Sequence, residues 1–183
     1  MLKWIIATIL GTIIGIGVYL YNYLGGYKPV ELAEIISEPL ILLSKDHTGP
    51  YHKIVPIIME VENWAKENGI SCKKSFGEFL DSPESVEEGR LRSHGGCLLS
   101  KEESLKLQDK YKSKDGFKIS EIASRKVLQA RFEGSPGIGP MKVYPKALKY
   151  LEEKRLSLNG PVIEIYEIHE DQKAMTTYYH FPY

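Results

Sequence analysis

Trp4 to Leu24 is an unbroken run of uncharged, mostly apolar positions. At about 1.5 Å per residue, a helix of that length spans about 31 Å, enough for a bilayer core. Trp4 opens the run and Tyr19, Tyr21 and Tyr23 crowd its end, as an interfacial aromatic belt does. A cleaved signal peptide has a shorter apolar core and a small-residue cleavage site, for which Gly25-Gly26 is only a weak stand-in. A buried core helix is rarely so uniformly apolar, so the run is read as an uncut transmembrane anchor over residues 1–26. Gly11 and Gly15 form a G-x-x-x-G pair, which lets helices approach closely but is common by chance in apolar segments.

After the spacer Tyr27-Lys28-Pro29 the periodicity changes. Leu40 to Leu43 is a short apolar run that predicts a buried strand. From Pro50 to Asn68, Ile54, Ile57, Ile58, Val61, Trp64 and Ala65 mark one helix face, and Gly69 stands where a terminating glycine belongs. Ser75 to Leu80 alternates as a strand, Asp81-Ser82-Pro83 turns it, and Leu91 to Leu99 returns. The second half repeats this order, with a strand over Val127–Phe132, a helix ending near Leu158, and strands over Val162–Ile168 and Met175–Phe181. Gly49-Pro50, Pro56 and Asn68-Gly69 correspond to Gly139-Pro140, Pro145 and Asn159-Gly160, at offsets of 90, 89 and 91 residues. Pro145 is also a candidate for the true start of the second helix. So long a period marks a doubled module and not a solenoid. The fold class is α+β: tandem strand–helix–strand–strand modules over residues 27–183, preceded by one transmembrane helix. One such unit cannot bury its sheet face alone, but two related by a pseudo-two-fold axis can, leaving a groove where they meet.

Composition fits this division. Residues 1–24 carry only Lys3, so the rest holds 23 basic and 24 acidic groups and is close to neutral. Nothing in that balance asks for nucleic acid as a partner. Lys3 leans the topology toward a cytoplasmic amino terminus and an exported domain. Cys72 and Cys97 flank a hairpin loop and are able to bridge in an oxidising compartment, though two cysteines do not establish a bridge.

Candidate chemistry centres on Glu164, set among β-branched residues in Val162-Ile163-Glu164-Ile165-Tyr166. Alternation puts Ile163 and Ile165 on one face and Val162, Glu164 and Tyr166 on the other. If the isoleucines back onto a helix, Glu164 and Tyr166 look into the inter-module groove, where a carboxylate calls for a cation or donors. Aromatic walls from Tyr178, Tyr179, Phe181 and Tyr183 add cation–π attraction. The competing reading makes the same face solvated and Glu164 merely exposed. Glu78 either mirrors Glu164 across the axis or sits at the surface. Gly134 to Pro140 has prolines where phosphate-binding amides belong and reads as a connection. The five histidines, His47, His52, His94, His169 and His180, lack metal-type spacing, and no G-x-S-x-G occurs. Arg90 and Arg92 read as a solvated hairpin. No metal, cofactor or catalytic residue is assigned.

With these segments in view the chain resembles the GyrI-like family, the effector-binding domain of AraC- and MerR-type regulators. The likeness rests on Gly49-Pro50-Tyr51 and the helix ending at Gly69, on Gly77 to Leu99, and on Asn159-Gly160-Pro161 through Glu164-Ile165-Tyr166 with Phe181-Pro182 at the close. It covers about residues 30–183. The resemblance implies two modules around a central cavity, a cavity glutamate at Glu164 contacting cationic or amphipathic ligands, and Tyr166 and Tyr179 as aromatic walls. It also implies that a cavity glutamate of this kind hydrolyses cyclopropane-bearing electrophiles in some relatives. The usual DNA-binding helices are replaced here by the apolar segment, an arrangement similar to the ER-phagy receptor type that carries this domain behind a membrane helix. The expected function is a single-pass, membrane-anchored small-molecule-binding module. The alternatives are a protein-interaction scaffold with a degenerate pocket, or a hydrolase.

Overall fold

The computed structural model describes residues 2–108, 116–168 and 175–183; His169 lies outside them. The helix α1 (Leu2–Tyr23) is followed by β1 (Val30–Ile36), β2 (Leu40–Thr48), α2 (Val55–Glu67), β3 (Lys74–Phe79) and β4 (Arg92–Leu99). A short helix α3 (Lys101–Gln108) leads to β5 (Phe117–Ile122), β6 (Lys126–Glu133), α4 (Gly139–Glu153), β7 (Val162–Ile168) and β8 (Met175–Pro182). The eight strands form one antiparallel sheet in the order β1-β6-β8-β7-β3-β4-β2-β5. Exchanging β1 with β5, β2 with β6, β3 with β7 and β4 with β8 reverses that order onto itself. The duplication is therefore real, and its pseudo-axis passes between β3 and β7. The two strands that periodicity did not disclose, β1 and β5, are the sheet edges, and each pairs with the opposite half.

Local chemistry explains the helix ends. Pro56 sits in the first turn of α2, where a missing N–H costs least. Gly69 adopts φ +74°, which turns the Ile70 amide onto the Ala65 carbonyl and the Gly69 amide onto the Lys66 carbonyl. The second helix departs from expectation. It ends at Glu153, not near Leu158, and Arg155 at φ 56° takes the left-handed place while the Leu156 amide bonds the Leu151 carbonyl. Asn159 closes no helix; its amide bonds the Pro182 carbonyl. Pro145 lies inside α4 and does not start it.

Both α2 and α4 cover the same sheet face. Val143, Ala147 and Leu151 of α4 pack on Leu128, Phe132, Val162, Tyr179 and Phe181, whereas Val61 and Ala65 of α2 pack on Leu43, Cys97 and Leu99. Cys72 and Cys97 are joined by a disulfide that ties the exit of α2 to β4. A third cluster, Leu42, Phe76, Ile163 and Ile165, lies on the other face. The isoleucines flanking Glu164 thus turn away from the helices, the reverse of the orientation assumed from the sequence. In α1, by contrast, the described apolar side chains are exposed, and the helix is long and apolar enough to cross a membrane.

Candidate functional site

Cross-strand partners in an antiparallel sheet share a face. Tyr179, Glu164, Gly77 and Gly95 are successive partners across β8, β7, β3 and β4, so they form one row beneath the helices at the pseudo-axis. Glu164 is 4% exposed, which removes the solvated-face reading. One carboxylate oxygen accepts a hydrogen bond from the Tyr144 phenol at 3.0 Å, the other from the Tyr166 phenol at 3.1 Å. Burial raises the Glu164 carboxyl from 4.5 to about 7, against the opposing pull of the two phenols. The same burial, reinforced by the neighbouring carboxylate, pushes Tyr144 and Tyr166 well above 10, so both remain protonated donors.

Tyr166 and Tyr179 both fall on the face with Glu164, as alternation requires. Tyr179 is fully buried and its hydroxyl finds no hydrogen-bond partner; burial first, then the Glu164 charge, raises its pKa. A side chain at Gly139, the first residue of α4, would overlap that hydroxyl. Tyr144 packs edge-on against Tyr179 and Phe181, with centroids 6.1 and 5.2 Å away. Sequence reasoning missed Tyr144. Its signal was its place beside Val143 and one turn before Ala147 and Leu148, on the flank of the buried stripe nearest the pseudo-axis.

The symmetry that places the site is broken within it. Gly77 and Glu164 are cross-strand partners next to the pseudo-axis. The next residues outward in the same row are Gly95 on the first-half side and Tyr179 on the other. In the first half the two glycines let α2 settle: a Cβ at Gly95 would lie 2.9 Å from Ile58 and 3.2 Å from Ile54, and one at Gly77 would lie 3.4 Å from Ile54. One side of the junction is therefore phenol and carboxylate, and the other is isoleucine and phenylalanine.

Glu78 does not mirror Glu164. It pairs with Ile163 on the helix-free face and bonds His94 Nδ1 at 2.8 Å. That hydrogen bond raises the His94 pKa against its burial. Tyr178 also turns to the helix-free face, beneath the Lys74 ammonium, and Tyr183 bonds Glu34, so neither is a wall of the site. Arg92 is exposed and grips Asp81 through two nitrogens, a hairpin clasp. Among the described residues no cluster of histidine, cysteine and carboxylate side chains is arranged to hold a metal. A cleft of about 440 Å³ lies between the end of α4 and Leu156–Leu158, and Glu164 does not line it.

No protein-family profile and no curated protein matches the chain by sequence. Thirty solved chains match by structure. EcmrR in its DNA complex covers 99% of this chain and 68% of its own, with a TM-score of 0.60 at 14% identity. The EcmrR C-terminal domain covers 84% and 96%, with a TM-score of 0.59 at 14% identity. SAV2435 bound to tetraphenylphosphonium covers 83% and 93%, with a TM-score of 0.50 at 10% identity. At such identities the likeness is one of fold. It supports the GyrI-like architecture expected above and does not speak for a membrane-anchored receptor form.

Proposed function

We propose that residues 27–183 form a small-molecule-binding domain for amphipathic, cationic ligands, held at a membrane by the anchor in residues 1–26. Glu164 is the counter-charge and Tyr166, Tyr179 and Tyr144 are the walls. The observation that carries this reading is a deeply buried carboxylate answered by two neutral phenols and, among the described residues, no cation. Buried charges are costly unless paired, and structures keep unpaired ones chiefly where function uses them. Tyr144 and Tyr166 are only half-buried, so they act as a gate whose hydroxyls occupy the place of a ligand's donors. An ammonium or phosphonium displacing them meets the carboxylate beside π faces. The tetraphenylphosphonium bound by SAV2435 is a ligand of that type.

The disulfide supports an exported domain with the amino terminus in the cytoplasm, since such bonds persist in oxidising compartments. A second reading, hydrolysis of cyclopropane-type electrophiles, is favoured by the Glu164 value near 7, which suits a group taking a proton from water. Tetraphenylphosphonium binding to the full chain in nanodiscs, corrected with empty discs, tests the first reading. Affinity is expected to weaken about tenfold per pH unit below pH 7, level off above it, and fall at least tenfold in Glu164→Gln. Equal affinity in wild type and variant would remove Glu164 from the site. Turnover of a cyclopropane electrophile that vanishes in the same variant would select the second reading.

A further inference from the structure

The anchor is not joined by a loose tether, although Gly25-Gly26 suggests one. The Leu24 carbonyl accepts from the Ser135 amide at 2.9 Å, and the Gly26 amide bonds the Tyr21 carbonyl at 2.8 Å. Gly25 and Gly26 are buried. Gly25 holds φ +85°, and a Cβ there would stand 3.0 Å from the Glu133 carbonyl oxygen and the Gly134 Cα. A Cβ at Gly134 would meet the Leu24 carbonyl at 2.8 Å. Lysines of α4 fasten the same strip: Lys142 donates to the Gly26 and Lys28 carbonyls and Lys146 to the Val30 carbonyl, while Lys28 pairs with Glu133. The end of α1 is thus built into the corner where β6 turns into α4.

We infer that the β6–α4 corner rests on the phospholipid headgroups, so that the domain is seated on the bilayer in one orientation. The inference relies on α1 being a membrane span. The occupant of this surface follows from continuity, because a helix end docked on the corner places the corner at the depth where the helix leaves the hydrocarbon. The exposed side chains there suit an interface: Met141 is 75% exposed and Tyr27 65% exposed, with Tyr21 edge-on to Tyr27 at 5.0 Å. Tyr144 lies three residues beyond Met141, about 5 Å along α4, which brings the gate over Glu164 close to the lipid surface.

Since α4 runs back along β6, Glu153 stands about 18 Å from Met141. With Cys72 and Cys97 bridged, a single introduced thiol is labelled with a fluorophore in the full chain, reconstituted into phosphatidylcholine nanodiscs. Met141→Cys is expected to be quenched several-fold more strongly by headgroup nitroxide lipid than Glu153→Cys, with Ile13→Cys quenched by acyl-chain nitroxide. Equal quenching at 141 and 153, with Ile13 quenched, overturns the seating. An unquenched Ile13 overturns the membrane span itself, and the seating with it. Inserting six Gly/Ser residues between Leu24 and Gly25 is expected to lower quenching at 141 to the level at 153 while Ile13 stays quenched. Undiminished quenching at 141 would show that the docked anchor does not set the orientation.

Discussion

Replacing Glu164 by glutamine should make the protein more stable at pH 8. Raising a carboxyl from 4.5 to about 7 means that folding gives up about 3 kcal/mol once the pH exceeds both values, at about 1.4 kcal/mol per pH unit. The sign follows from proton counts. Between 4.5 and 7 the folded protein holds the proton that the unfolded chain releases, so stability falls as pH rises through that window and is level above it. Glutamine carries no charge and escapes this loss. Its amide cannot accept from both phenols, and the poorer hydrogen bonding costs about 1 kcal/mol. The net gain is about 2 kcal/mol at pH 8, or about 4–8 °C in Tm for a chain of this size. The assay is thermal unfolding of the full chain in detergent micelles, wild type beside Glu164→Gln, from pH 4 to 8.5. The difference should grow between pH 4.5 and 7 and, below that window, reverse to the roughly 1 kcal/mol hydrogen-bonding cost of the variant. A variant less stable at pH 8, or a difference independent of pH, would refute a buried, uncompensated carboxylate at this position.

Replacing Cys72 and Cys97 together by serine frees a loop closed across 25 residues and should cost about 3 kcal/mol, read as a lower Tm that reductant reproduces in wild type. Gly139→Ala forces a methyl group into the Tyr179 hydroxyl and should cost about 1–3 kcal/mol, with Gly137→Ala, which meets only Ser135 at 3.6 Å, as the mild control. His180, lowered to about 4 by burial and then by the Arg125 charge, loses stability as pH falls from 6.5 toward 4; His180→Gln should flatten that limb of the stability curve.

Periodicity was sufficient for α2, α4 and the six strands between the sheet edges, each of which contributes buried apolar residues to a core cluster. It did not disclose β1 and β5. Edge strands alternate weakly: Glu31, Ala33 and Glu34 of β1 are exposed, and what holds them is the ladder to β6. The end of α4 was misplaced because a terminating glycine was expected at Gly160, whereas Arg155 takes the left-handed conformation. Glu164 was legible as a charge among β-branched residues and Tyr166 followed from alternation, whereas Tyr179 was singled out from its neighbouring aromatics only by the family resemblance. Which face the helices cover was not legible, because Ile163 and Ile165 are also buried, on the far side of a sheet with apolar clusters on both faces. Tyr144 stayed hidden because it reaches Glu164 from another element, 20 residues away.

Two adjacent cross-strand pairs of β7 and β8 carry opposite burdens. On the helix face, Glu164 beside Tyr179 prefers its proton; on the other, His180 beside Ile163 gives its proton up. Their contributions to stability slope in opposite directions between about pH 4.5 and 6.5 and largely cancel, so wild-type stability should hardly register either group there. The groups differ in what answers them. His180 bonds Gln129 and is stable as a neutral ring, which is how a structural core histidine behaves. Glu164 at pH 8 is charged, enclosed and, among the described residues, met only by phenols. Its cross-strand partner in the first half is Gly77, over which Ile54 and Phe79 fill the space. Retaining a carboxylate beside a half that packs hydrocarbon is hard to explain by folding alone, and under the proposed function a ligand's positive charge would supply what the fold withholds.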